Sequence, residues 1–168
     1  MKKAGPGSRF AGQLRRRLKG AVRIAVVGVG EELSPVDRLG MDTAREIGKQ
    51  QIPGVCVFCA GTVPESMTGP LRDFQPDHVI FIDAADMGEE PGTFAIVQPG
   101  KIQASLMSTH VLPLSVVMEF VEKDSGAKVT LVGIQPDLGR TGELTPGEKE
   151  RICGNIEVMA GVLREISV

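Results

Sequence analysis

The sequence predicts an α/β domain: a three-layer α/β/α sandwich around a five-stranded, mostly parallel sheet with one antiparallel edge strand. Three observations carry this reading. Runs rich in Val and Ile alternate along the chain with segments of helical periodicity. The first run, Val22-Arg23-Ile24-Ala25-Val26-Val27, is nearly continuous in apolar residues, as a strand covered on both faces requires. The length, 168 residues with 42% hydrophobic content, suits one well-buried core, and no linker or internal repeat divides it.

Taken in order, Val22–Val27 is the first strand, and Ser34-Pro35 opens a helix that runs to about Lys49. Val55–Ala60 reads as the second strand. Glu65–Phe74 follows as a short helix loosened by Gly69-Pro70. His78–Asp83 is the third strand and Thr93–Val97 the fourth. Their connection, Ala84–Gly92, is too short for a crossover carrying a full helix, so the fourth strand is expected to run antiparallel at an edge. Leu114, Val117, Met118 and Val121 mark one face of a helix over Leu114–Lys123. Lys128–Ile134 is the fifth strand, and Pro146 starts a final helix to Ile166.

Charge excludes some functions. The net charge is −2, so electrostatics argue against nucleic-acid binding by the whole molecule. Positive charge is concentrated in residues 1–21, where Lys2, Lys3, Arg9, Arg15, Arg16, Arg17 and Lys19 meet no acidic residue. Gly5, Pro6, Gly7 and Gly12 make this arm a poor helix, and it reads as a basic, disordered leader to a single domain over residues 22–168. No apolar run is long enough to cross a membrane, so no membrane insertion is expected. Three cysteines, an odd number, argue against a disulfide framework and for the reducing cytoplasm. Cys56 and Cys59 spell C-x-x-C inside a strand, where residues three apart face opposite ways; buried packing thiols are the expectation.

In open α/β sheets ligands gather beyond the carboxyl ends of the strands. Asp37 follows the first strand, Asp83 ends the third, and His110 closes the polar run Ser108-Thr109-His110. Two carboxylates and an imidazole suit a borderline divalent metal such as nickel or zinc. Asp83 ends four apolar positions, where a carboxylate is costly to desolvate unless it is paired or ligated. Asp37 has a local alternative: Ser34-Pro35-Val36-Asp37 spells a helix-opening capping pattern. His78 begins a strand directly after Pro76-Asp77, where a surface role is expected, and Glu65 is a candidate to support the ligands from behind. Gly28-x-Gly30 lacks the third small residue of a dinucleotide fingerprint, because position 33 is Leu. No Gly-x-Ser-x-Gly elbow and no cysteine with a histidine signature offers a nucleophile.

Five short strings stand in a recognisable order. They are Gly28-Val29-Gly30 with Asp37 and Gly40; Gly61 with Pro64-Glu65; and Ile82-Asp83-Ala84-Ala85-Asp86-Met87-Gly88 leading to Pro91-Gly92. Ser108-Thr109-His110 with Pro113-Leu114, and Gly133-Ile134-Gln135-Pro136, complete the set. Together they resemble the hydrogenase maturation endopeptidases, from about Arg23 to the C-terminus, and the last two look closest to the formate-hydrogenlyase-type branch. The resemblance implies a five-stranded sheet flanked by helices. It also implies an endopeptidase that removes the C-terminal extension of the [NiFe]-hydrogenase large-subunit precursor after nickel insertion. Asp37, Asp83 and His110 would contact nickel supplied by the substrate, with another divalent cation able to occupy the same ligands in vitro. Asp37 or Asp83 would serve the catalytic step as acceptor of a water proton. The chain departs from the pattern in its first loop: Glu31 stands where the family usually has Asn, and Pro35-Val36-Asp37-Arg38 where it has Gly-Asp-Asp-Gly. Two alternatives are therefore carried: a degenerate member that binds the precursor without cutting it, and a Rossmann-like cofactor-binding protein.

Overall fold

Five strands run side by side in the order β2-β1-β3-β5-β4 among the residues that the computed structural model describes, 5–98 and 112–167. They are β1 (Ile24–Val29), β2 (Val55–Gly61), β3 (His78–Ala84), β4 (Phe94–Val97) and β5 (Lys128–Ile134). β1 pairs in parallel with β2 and β3, β3 pairs in parallel with β5, and β4 closes one edge antiparallel to β5. The mostly parallel sheet with one antiparallel edge strand is as the sequence predicts.

Helices cover both faces. α1 (Pro6–Arg17), α2 (Leu39–Lys49) and α5 (Pro146–Ile166) pack on the face that presents Ile24, Val26, Ile80, Ile82 and Val132. The other face presents Ala25, Val27, Val79, Phe81 and Leu131 to α3 (Thr68–Phe74) and α4 (Leu114–Ser125). Every residue of β1 and of β3 is buried, the result expected of central parallel strands.

The basic arm is a correction. Residues 1–21 are read from the sequence as a disordered leader, yet Pro6–Arg17 forms α1. Phe10, Ala11 and Leu14 recur at helical spacing and are buried, with Leu18 just beyond. Phe10 meets Phe94 of β4 edge to face, 5.9 Å between centroids. The arginines face solvent or the helix C-terminus, where positive charge is favourable, and Arg15 forks onto Glu165 of α5 at 2.6 and 2.9 Å.

Several boundaries also differ by a few residues. β1 begins two residues later than expected, because the Asp77 carboxylate takes the N–H groups of Val22 and Arg23 at 2.8 and 2.7 Å. The helix expected from Ser34 begins at Leu39, since residues 31–38 are spent on turns. Glu65–Phe74 divides into a 3₁₀ turn (Pro64–Met67) and α3. Cys56 is half-buried and Cys59 exposed rather than buried, because β2 is an edge strand.

Candidate active site

β1 sends its chain through α2 to β2 on one side, and the chain then crosses back to β3 on the other. The carboxyl ends of β1 and β3 therefore flank the point where connections diverge, the usual place for a ligand crevice in such sheets. Asp37 lies in the connection leaving β1, and Asp83 is the penultimate residue of β3.

The first loop folds back onto its own strand. Gly30, at φ 142°, has no room for a side chain, since a Cβ would lie 2.0 Å from the Asp37 carbonyl oxygen. Ser34 closes the turn: its carbonyl accepts from the N–H groups of Asp37 and Arg38, and its hydroxyl accepts from the Asp37 N–H at 3.3 Å. The Asp37 carboxylate, 4% exposed, accepts from the Glu31 N–H at 2.9 Å. Ser34 thus supports an Asp-bearing turn ahead of the helix, and the helix-capping alternative for Asp37 is not the arrangement formed. Gly30 also donates to Gly61 O at 2.9 Å, which ties this loop to the end of β2.

Gly40 seats α2 directly on the sheet. A Cβ there would fall 2.2 Å from Ile82 O and 2.4 Å from Val29 O, the carbonyls next to Asp83 and Gly30. One glycine thereby brings the Asp37 turn against the end of β3. Asp83 is 6% exposed and sits in register with Gly133 of β5.

Beyond β3 the chain is pinned by Gln135, a residue to which sequence reasoning gave no separate role. Its side-chain oxygen accepts from the N–H groups of Met87 and Glu89 at 2.6 and 3.3 Å, and its amide donates to Asp86 and to Pro136 O. A glutamine that is 4% exposed satisfies its polar atoms by holding the loop that follows Asp83. Asp86 is exposed in the turn and accepts also from the Gly88 N–H at 3.3 Å.

Glu65, in the 3₁₀ turn after β2, keeps Oε2 buried without a hydrogen-bond partner among the described residues. His110 lies outside the described residues. Among the described residues no group of three or more His, Cys, Asp or Glu is arranged to hold a metal ion. The crevice brings Asp37 and Asp83 to adjacent strand ends, a pair of buried carboxylates able to accept a proton or bind a cation.

His78 is a correction. It begins β3 at the opposite end of the sheet and is 2% exposed rather than on the surface. Its Nε2 shares a hydrogen bond of 2.7 Å with Thr130 Oγ1. Burial, then the positive charges of Lys128 and Arg17, pushes its pKa down to about 4. A further pair escaped the sequence reading: Arg140, in the β5–α5 connection, and Glu148, in the first turn of α5, form a buried ion pair. Thr145-x-x-Glu148 is a capping-box spacing that was there to be read, and Thr145 does cap α5 by accepting from the Glu148 N–H at 3.3 Å.

Comparison with known proteins places the chain in a family. Residues 41–161 match the family model described as hydrogenase maturation protease (HycI). The chain belongs to this family. Within this hydrogenase maturation protease family, the crystal structure of HycI from Thermococcus kodakarensis superposes with a TM-score of 0.77 at 32% identity, covering 90% of this chain and 99% of that one. HybD from Escherichia coli, titled a hydrogenase maturating endopeptidase, gives a TM-score of 0.67 at 28% identity over 85% of this chain and 93% of that one. The hydrogenase 3 maturation protease of Escherichia coli K12 is 35% identical over 83 residues, 49% of this chain and 53% of that protein. The protein is thus a hydrogenase maturation peptidase, as its motifs led one to expect. The family match spans Asp83 and begins after the turn that carries Asp37.

Proposed function

We propose that this peptidase removes the C-terminal extension of a [NiFe]-hydrogenase large-subunit precursor, and that nickel already inserted in the precursor is part of what it recognises. The observation that supports the reading is that Asp37 and Asp83 lie beyond or at the carboxyl ends of the neighbouring strands β1 and β3, where Gly40 packs α2 onto both backbones. With His110, which lies outside the described residues, they would form a ligand set of two carboxylates and one imidazole, leaving coordination positions for the substrate. Docked there, the precursor's metal would hold the scissile carbonyl, and a carboxylate would accept the proton of the attacking water. An aspartic-type or metal-assisted step follows from the same pair. The reading includes action in the cytoplasm, supported by three cysteines that carry no disulfide.

The test is to incubate the purified chain with nickel-loaded and nickel-free precursor and weigh the products. Trimming of the loaded form alone is expected; equal trimming of both would remove the metal checkpoint. A second reading has one observation in its favour, the altered first loop from Glu31 to Arg38. In that case the chain would bind the precursor and leave its mass unchanged.

A further inference from the structure

We infer that Arg140, through Glu148, is a positioning residue for this site: it fixes the Asp37 turn to the same helix end that holds the loop following Asp83. The inference rests on the proposed function above and assigns a role to residues outside the carboxylate pair.

Arg140 makes two contacts with one guanidinium. One Nη donates to the carboxylate of Glu148, and the other donates to the Pro35 carbonyl, two residues from Asp37. Both side chains of the pair are nearly sealed from solvent, at 5% and 1% exposure. Pro35 lacks an N–H, so its carbonyl is the only backbone hydrogen-bonding group it can offer, and Arg140 takes it. A planar guanidinium reaches the two acceptors with two separate nitrogens held in a fixed fork, a geometry that the single nitrogen of an ammonium does not reproduce.

The same helix grips the other loop. Arg151 donates to Pro91 O, and Asn155 donates to Gly92 O at 3.0 Å. Gly92 in turn donates to Gln135 O at 2.8 Å, beside the glutamine side chain that holds Met87 and Glu89. The N-terminal half of α5 and the connection leading into it are therefore a shared brace: Arg140, held by Glu148, fastens the turn bearing Asp37, while Arg151 and Asn155 fasten the loop leaving Asp83.

Stability alone is a poor reason for such a pair. Desolvating both charges offsets much of their attraction, and apolar residues of similar volume often serve the fold as well or better. What apolar residues cannot supply is the hydrogen bond to Pro35 O. Fold and positioning are thus separable by mutation.

The experiment compares wild type with the double variant Arg140→Met/Glu148→Leu, reading melting temperature and the kinetics of trimming of nickel-loaded precursor. The double variant is expected to melt at or near the wild-type temperature. Its kcat is expected to fall about tenfold to a hundredfold with KM for the precursor little changed, the signature of a misplaced reacting group rather than lost docking. Wild-type kcat in a folded double variant overturns the inference alone. No trimming by the wild-type chain overturns the proposed function and this inference with it. Should the double variant melt early, Arg140→Lys decides: it keeps a charge opposite Glu148 but loses the fixed two-nitrogen fork, so wild-type kcat there also overturns the inference.

Discussion

Gly40 shows how little space separates the two halves of the site. An alanine there would gain about 1 kcal/mol of helix propensity. Against that, its methyl would press on two backbone carbonyls, 2.2 and 2.4 Å away, neither of which can rotate aside. The clash wins: Gly40→Ala is expected to lose about 2 kcal/mol or more in urea denaturation, and to lose trimming activity with it. Asp37→Asn makes the opposite test. The amide oxygen still accepts from the Glu31 N–H, so the turn survives while the charge is gone. A near-wild-type melting temperature with no precursor trimming is expected; normal trimming would remove Asp37 from the chemistry. The placing of Asp83 at a strand end was legible because a charged residue closing an apolar run has few structural uses, whereas Asp37, in a turn ahead of α2, is singled out only by the order of the surrounding motifs. Arg140 and Glu148 were not legible, since they stand eight positions apart across the end of an irregular connection and the start of α5, and no periodicity links such a pair.

At the level of elements, α1 carries the lesson. Leu14 is fully buried between α5 and the sheet, and Leu14→Ala is expected to cost about 2–5 kcal/mol in chemical denaturation. Replacing the exposed Arg16 by Ser should change stability by no more than about 0.5 kcal/mol, because its side chain faces solvent. The density of arginine and glycine hid a short apolar stripe, Phe10, Ala11, Leu14 and Leu18, that has the helical period. β5 and α5 were read to the residue because their ends are marked, at α5 by Thr145 and Pro146 and at β5 by Gly126 before it and Pro136 after. The start of α2 was placed early because Ser34-Pro35 is a true turn signal that the chain uses to aim Asp37, before the helix begins.

Across the whole molecule, acid stability should depend on a histidine far from the crevice. In the folded protein His78 has its pKa pushed down to about 4, against an ordinary value of 6.5. Between those values the unfolded chain takes up a proton that the folded one refuses, so stability falls as pH drops through this window. Urea titrations at pH 7.5 and pH 5 should differ by about 2 kcal/mol from this group, and His78→Gln should flatten the difference. An unchanged slope in the variant would assign the acid sensitivity elsewhere. The sheet order has a last consequence. β1 and β3 are bonded neighbours, so everything threaded between them is a detour that does not enter the distance between their ends. A circular permutant opened in the turn before β2, with its old termini joined by a linker, should assemble the same pair of acids from a rewired chain.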